Sequence, residues 1–333
     1  MADELKRSPD TELVSPRQKH RIKEQQQALR PNHANGLLNK LKHTDPVLRL
    51  QLTRDDYPPD ICPTSRNLLD SLLYPLSPHD FKSTCFRKKA VCINSNRKER
   101  VENIIKNFMF GLDPKRIFEE TSSDSVFLWI PSNDKNKVSQ LMHNEERCLQ
   151  SIEVHDPNTA YILHTHSNYA SYCRAAPQLE QLLVSSMLKG IGFGLGQYDP
   201  TGEKLTTLGR GEVETFIGTN GHVTDFHTDF QENFTIQLSG RKRWTLKQGT
   251  IKSPLRGTTP HYRSSPDVIE NQIKAARLSN PDYQFGRQDL NSNAFGDEVD
   301  IIMDAGDVLY FPAGMWHKVS SFAVLFDNNG NIE

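Results

Sequence analysis

The chain has 333 residues, 36% of them hydrophobic and 24% charged, and its 40 lysines and arginines nearly cancel its 41 aspartates and glutamates to leave a net charge of -1. That length suits one large or two ordinary domains, while the balanced charge excludes the global positive field that draws proteins to nucleic acids or acidic membrane surfaces. Five cysteines without a CxxC pair argue against a disulfide framework or a cysteine zinc site, and no run of 18 apolar residues is present to cross a bilayer.

The N-terminal MADELKRSPD lacks the apolar segment of a secretory signal, so a reducing compartment, cytoplasm or nucleus, and no membrane partner are expected. Residues 1–36 hold few large apolar groups and a Gln25-Gln26-Gln27 run, too little to offset ordering entropy, and are expected to be disordered. A helical and mixed region is expected over 37–211. Leu37 to Leu52 has partly helical spacing interrupted by Pro46. Ser77-Pro78 opens a helix running to Phe86, followed by a strand over Ala90 to Ile93 and a helix over Val101 to Phe108. Val126 to Ile130 and Ala160 to Leu163 read as strands, and Gln178 to Leu188 as a helix that Gly190 would end.

From Glu212 onward the pattern changes to short alternating runs broken by Gly, Asn, Asp and Pro: 213–217, 223–229, 234–238, 241–246, 301–304, 308–311 and 316–320. Such spacing predicts an antiparallel jelly roll. The expected class is therefore α+β, a double-stranded β-helix over 212–333 behind the mixed region. Residues 248–300 form an insertion with a helical stretch at Pro266 to Leu278, and an excursion of that length in a β domain is more often functional than idle.

Four candidate sites compete. Gly190, Gly192, Gly194 and Gly196 have dinucleotide-fingerprint spacing, but Gln197-Tyr198-Asp199-Pro200 cannot open the helix that would hold a pyrophosphate. His164 and His166 would share one face of a strand, with no third ligand in view. His227 and Asp229, also two apart, are the third candidate, and His317 on another strand is the fourth. Together these give two imidazoles and a carboxylate, the facial triad of non-haem iron, although zinc accepts the same donors. A two-residue Ser239-Gly240 turn would pair Gln237 with Lys242 in a hairpin, placing Asn233, Thr235, Gln237 and Lys242 on one face with the triad. A lysine pointing inward needs an anion; membership of the solvated Arg241-Lys242-Arg243 run is the alternative.

His227-x-Asp229, His317, the Gly240-x-Lys242-x-Trp244 segment and the segment from Gly306-Asp307-Val308 through Phe311-Pro312 to Trp316-His317 resemble the JmjC, or cupin-like, iron(II)- and 2-oxoglutarate-dependent oxygenases, over roughly residues 212–321. The resemblance implies Fe(II) held by His227, Asp229 and His317, and 2-oxoglutarate held by Lys242 at its far carboxylate with Thr224 and Asn233 close by. It implies hydroxylation of a protein side chain with succinate and CO2 as co-products. RNA or a small molecule are further substrate classes, and a histone lysine demethylase or an inert cupin-like binding protein are the alternative functions. Thr224 is odd in one respect: three residues from His227, it falls on the opposite side of a regular strand, so the backbone must bend for it to join the site. Barrels of the family have a further strand after the distal histidine, often with helices that form a homodimer. Here only sixteen residues follow His317, so either the chain is shortened or another segment closes the barrel.

Overall fold

A computed structural model of the protein describes residues 46–130, 151–166, 168–192, 211–249, 274, 277 and 297–322. Their strands form three four-stranded sheets. In chain order the strands are β1 (Val47–Gln51), β2 (Ala90–Asn94), β3 (Val126–Trp129), β4 (Ser151–Val154), β5 (Ala170–Arg174), β6 (Glu214–Gly218), β7 (Val223–His227), β8 (Asn233–Ile236), β9 (Arg241–Lys247), β10 (Val299–Met303), β11 (Val308–Phe311) and β12 (Trp316–Phe322). The sheet orders are β1-β2-β11-β8, β10-β9-β12-β7 and β4-β3-β5-β6.

The first two sheets face each other across an apolar core. Val47, Ala90, Cys92, Leu309 and Phe311 from one meet Trp244, Leu246, Ile301 and Met303 from the other, with Met315 between. These residues alternate along each strand, as a pleated strand with one buried face requires. This is the jelly-roll architecture expected from the alternating text, with one addition: β1 and β2, from the N-terminal half, extend the sheet of β11 and β8. β12 lies between β9 and β7, so the strand carrying His317 has no open edge.

Among the described residues, the continuous α-helices are α1 (Leu68–Leu73), α2 (Pro78–Thr84), α3 (Glu102–Phe108), α4 (Pro114–Glu119), α5 (Pro157–His164) and α6 (Pro177–Ile191). With the third sheet they build a second core around Leu68, Leu72, Ile104, Phe118, Leu128, Cys173 and Leu179. Local chemistry sets their starts. Ser77 Oγ accepts from Asp80 N at 3.1 Å to cap α2, Asp156 Oδ2 accepts from Thr159 N at 2.9 Å to cap α5, and Pro78, Pro114 and Pro157 each fall in the first turn, where the missing N–H costs nothing. A buried brace ties the halves together. Arg100, 1% exposed, donates to the carbonyls of Gly306 and Ser71 at 2.9 and 2.6 Å, while Asp307 accepts from Ser95 N at 2.7 Å and Asn94 Nδ2 at 2.9 Å.

Several expectations are corrected. Val47–Gln51 is a strand, because it pairs in parallel with β2; residues 37–45 of the expected helical stretch lie outside the described residues, as do residues 1–36. Ala160 to Leu163 belongs to α5, since the Asp156 cap and Pro157 outweigh a short apolar run that periodicity alone does not assign. α6 passes through Gly190 and ends at Gly192, whose φ of +101° suits a residue without a Cβ. The Ser239-Gly240 hairpin is absent: β8 pairs with β11, β9 with β10 and β12, and the chain crosses between sheets at 237–240. Of the insertion, Lys274 and Arg277 are helical and β10 begins at Val299; the remainder lies outside the described residues, apart from its flanks.

Candidate metal centre

β7 and β12 are neighbours, with His227 directly opposite His317. Opposed residues of an antiparallel pair share a face, and the two rings lie 4.0 Å apart between centroids. Past the end of β7, the Asp229 carbonyl accepts a hydrogen bond from Gly314 N at 2.7 Å, which ties the aspartate to the turn preceding β12. One donor atom each from His227, Asp229 and His317 falls within 4.8 Å of the others, and Asp229 Oδ2 is 3.5 Å from His317 Nε2.

The second ring nitrogen of His317 fixes its tautomer. Nδ1 lies 3.1 Å from the Met315 carbonyl; a carbonyl only accepts, so Nδ1 carries the proton and Nε2 presents its lone pair to the cluster. Burial, then the nearby His227, pushes the His317 pKa down to about 4 against the opposing pull of Asp229. The ring is therefore neutral at pH 7, as a metal ligand must be. Phe311 and Trp244 wall it in, with ring centroids 4.7 and 6.0 Å away. Two buried polar atoms here, Trp244 Nε1 and Thr228 Oγ1, have no hydrogen-bond partner among the described residues. The donor set fits Fe(II): two imidazole nitrogens and one carboxylate oxygen from one side leave positions for further ligands.

Lys242 faces the same interior. On β9 it stands opposite Ser321, Trp244 opposite Val319 and Leu246 opposite His317. Its Nζ donates to the Phe216 carbonyl at 3.4 Å, and loss of water contact lowers its pKa to about 8. Arg241 and Arg243 take the other face, where Arg241 binds Asp304 with contacts of 2.7 and 2.9 Å and Arg243 is exposed. Asn233 opposes Phe311 and so shares that interior too, its amide donating to the Gln231 carbonyl at 3.0 Å.

Thr224 is brought in by a bend. His227 opposes His317 but Thr224 opposes Val319, so three steps on β7 match two on β12. The extra residue is a β-bulge, which reverses the parity and turns Thr224 to the His317 side. Its hydroxyl lies 3.0 Å from His222 Nε2. The other candidates do not assemble. His164 ends α5, bonded through Nδ1 to Ser171 Oγ at 2.7 Å, and His166 Nδ1 donates to the Leu163 carbonyl. Of the glycine run, Gly190 and Gly192 close α6, and the rest lies outside the described residues.

The sheet beside this centre, whose strands at 126–129 and 214–218 the alternation predicts, carries aromatic rings on one face. Phe127, Tyr172 and Phe216 oppose one another on β3, β5 and β6, with Glu212, Glu214 and Glu153 close enough to help raise the Tyr172 pKa to about 12, after burial. Phe127-x-Trp129 alternation was the available signal.

Residues 200–332 match the cupin-like domain family. The chain is 29% identical over 150 residues to "JmjC domain-containing protein D" of Dictyostelium discoideum, covering 45% of this chain and 31% of that one. It is 35% identical over 92 residues to "Bifunctional lysine-specific demethylase and histidyl-hydroxylase NO66" of Drosophila mojavensis (28% and 8%), and 26% identical over 118 residues to "Lysine-specific demethylase 8" of Xenopus tropicalis (34% and 23%). It thus covers less than a third of the length of each of these relatives. The Escherichia coli ribosomal oxygenase YcfD, solved with cobalt and succinic acid, superposes with a TM-score of 0.39 at 14% identity, over 75% of this chain and 49% of that one.

Proposed function

We propose that the protein is an Fe(II)- and 2-oxoglutarate-dependent oxygenase that hydroxylates a protein side chain. The observation that carries this reading is the convergence of His227, Asp229 and His317 within 4.8 Å on the inner face that also bears Lys242. Bound there, iron and 2-oxoglutarate would let dioxygen place one oxygen atom in succinate, as the oxo acid loses CO2, and the other in a substrate C–H bond. Lys242 supplies an ammonium for the far carboxylate of the oxo acid, and the Thr224 hydroxyl donates beside it. Phe311 and Trp244 keep water from the back of the site, which strengthens those contacts.

Hydroxylation of an N-methyl carbon would make the same site a demethylase, a reading favoured by the names of two of the relatives. The experiment that tests oxygenase against inert binding protein is uncoupled turnover. With Fe(II), ascorbate and 2-oxoglutarate, the purified chain should release succinate, and His227→Ala should not. Iron-loaded protein that releases none overturns the reading.

A further inference from the structure

The chain enters β7 through Gly221 and His222, and backbone bonds to β12 fix that entry. Gly221 N donates to the Ser321 carbonyl and Ser321 N to the His222 carbonyl, both at 2.9 Å. Ser321 is the residue opposite Lys242, so His222 borders the end of the interior where the ammonium lies. It is 6% exposed, and its ring is held at both nitrogens: Nδ1 lies 3.1 Å from the Asn168 carbonyl and Nε2 3.0 Å from Thr224 Oγ1. The turn that supplies this carbonyl is itself pinned, by Asn168 N donating to the Asn220 carbonyl at 3.2 Å and Thr219 Oγ1 to the Tyr169 carbonyl at 2.7 Å.

These contacts set the direction of each bond. A carbonyl only accepts, so Nδ1 carries a proton in either charge state of the ring. In the neutral ring Nε2 is a bare lone pair, and Thr224 donates its one hydroxyl proton to it. Thr224 then turns oxygen lone pairs towards the interior, and these repel a carboxylate. In the charged ring Nε2–H donates, Thr224 accepts, and its own proton is free to point inward. Donation by Thr224 to the oxo acid, the role given to it above, therefore requires a proton on His222. A cationic imidazole shielded from water beside the Lys242 ammonium is disfavoured until an anion arrives. The elements around the ring also carry the metal ligands of β7 and β12, Glu214 on β6, which opposes Arg174, and His166 and Tyr169 in the pinned turn, their rings 5.4 Å apart.

We propose that His222 is a positioning residue for the oxo acid. In the free protein it is neutral and accepts from Thr224; as 2-oxoglutarate binds, Nε2 takes up one proton from solvent, and a line of donors runs from Nε2 through the Thr224 hydroxyl to the far carboxylate. This rests on the oxygenase reading, because that carboxylate is the anion that draws the proton in.

The test loads the full chain with zinc(II), which accepts the same donors without turnover, and titrates it with 2-oxoglutarate at pH 7 by calorimetry in buffers of different ionisation enthalpy, which reads the protons taken up per ligand. Lys242, with its pKa of about 8, contributes about a tenth of a proton at that pH. The parent should take up at least about half a proton, and Glu214→Gln should match it. In His222→Gln an amide N–H reaches Thr224 from the Nε2 position and donates at every pH, so this variant should bind within about threefold of the parent with uptake cut to about a tenth of a proton. His222→Leu, checked for unchanged thermal unfolding, should bind about tenfold more weakly. Nitrogen–proton NMR spectra with labelled histidine, His222 assigned from its loss in His222→Gln, should show the ring passing from the Nδ1–H tautomer to imidazolium as ligand is added. Uptake of about a tenth of a proton or less by the parent, equal uptake by His222→Gln, or a His222 ring unchanged by ligand overturns the proposal and leaves the oxygenase reading standing. A zinc-loaded parent that binds no 2-oxoglutarate removes that reading and this proposal with it.

Discussion

At the scale of single residues, the centre depends on keeping donors unprotonated and an ammonium charged within a few ångströms of one another. His317→Ala removes one of three donors that lie within 4.8 Å, and the purified variant should carry little of the iron that the parent binds, measured by elemental analysis. Lys242 makes a prediction in pH. Desolvation holds its pKa at about 8, against an ordinary 10.5, so the native state is penalised while Lys242 is protonated and gains stability as pH rises from about 8 towards 10.5. A bound carboxylate reverses this by favouring the charged form. The 2-oxoglutarate concentration for half-maximal succinate release should therefore rise as pH passes through about 8, and Lys242→Met should raise it about tenfold at neutral pH and flatten the profile. Arg243→Ala, on the opposite face, should leave the profile in place. These residues were legible in the sequence because HxD, GxKxW and PxxxWH each keep chemistry and spacing within a short stretch; the stacked rings were not, since Phe127, Tyr172 and Phe216 are far apart in the chain and meet only through strand pairing.

At the scale of elements, the bulge in β7 does what strand periodicity forbids. Period two sends Thr224 and His227 to opposite sides, and one unmatched residue returns them to the same side. Thr224→Val keeps the shape and loses the hydroxyl, so it should weaken 2-oxoglutarate about tenfold, whereas Thr224→Ser should stay near the parent in the same titration. The parity of β9 was right for a reason other than the one inferred. Lys242 faces inward because β9 runs between β10 and β12, not because a hairpin folds it onto β8. A two-residue Ser-Gly step looks the same in sequence whether it returns a strand to its neighbour or hands the chain across to the facing sheet. Partner choice is a long-range property, and local text does not contain it. The same limit explains β1, read as helix: its pairing with β2 outweighs leucine spacing.

At the scale of the whole molecule, the sheets do not respect the change in sequence character near residue 212. β2 inserts beside β11, β5 pairs with β6, and Arg100 donates to the Gly306 carbonyl. A fragment beginning at Glu212 would expose the edges of β6 and β11 and leave the Asp307 carboxylate without Ser95 and Asn94. It should fail to give a cooperative thermal transition in circular dichroism, while a fragment from His43 onward should melt as one unit. The insertion of β2 between β1 and β11 also has a consequence for synthesis. Ile93 leaves the ribosome more than two hundred residues before Val308, its partner in the register, which at ordinary elongation rates is a wait on the order of ten seconds or more. Throughout that interval the nascent β1-β2 pair offers the hydrogen-bonding groups of Val91 to Ile93 to any other extended chain, so the N-terminal half must be shielded during translation until the last strands emerge.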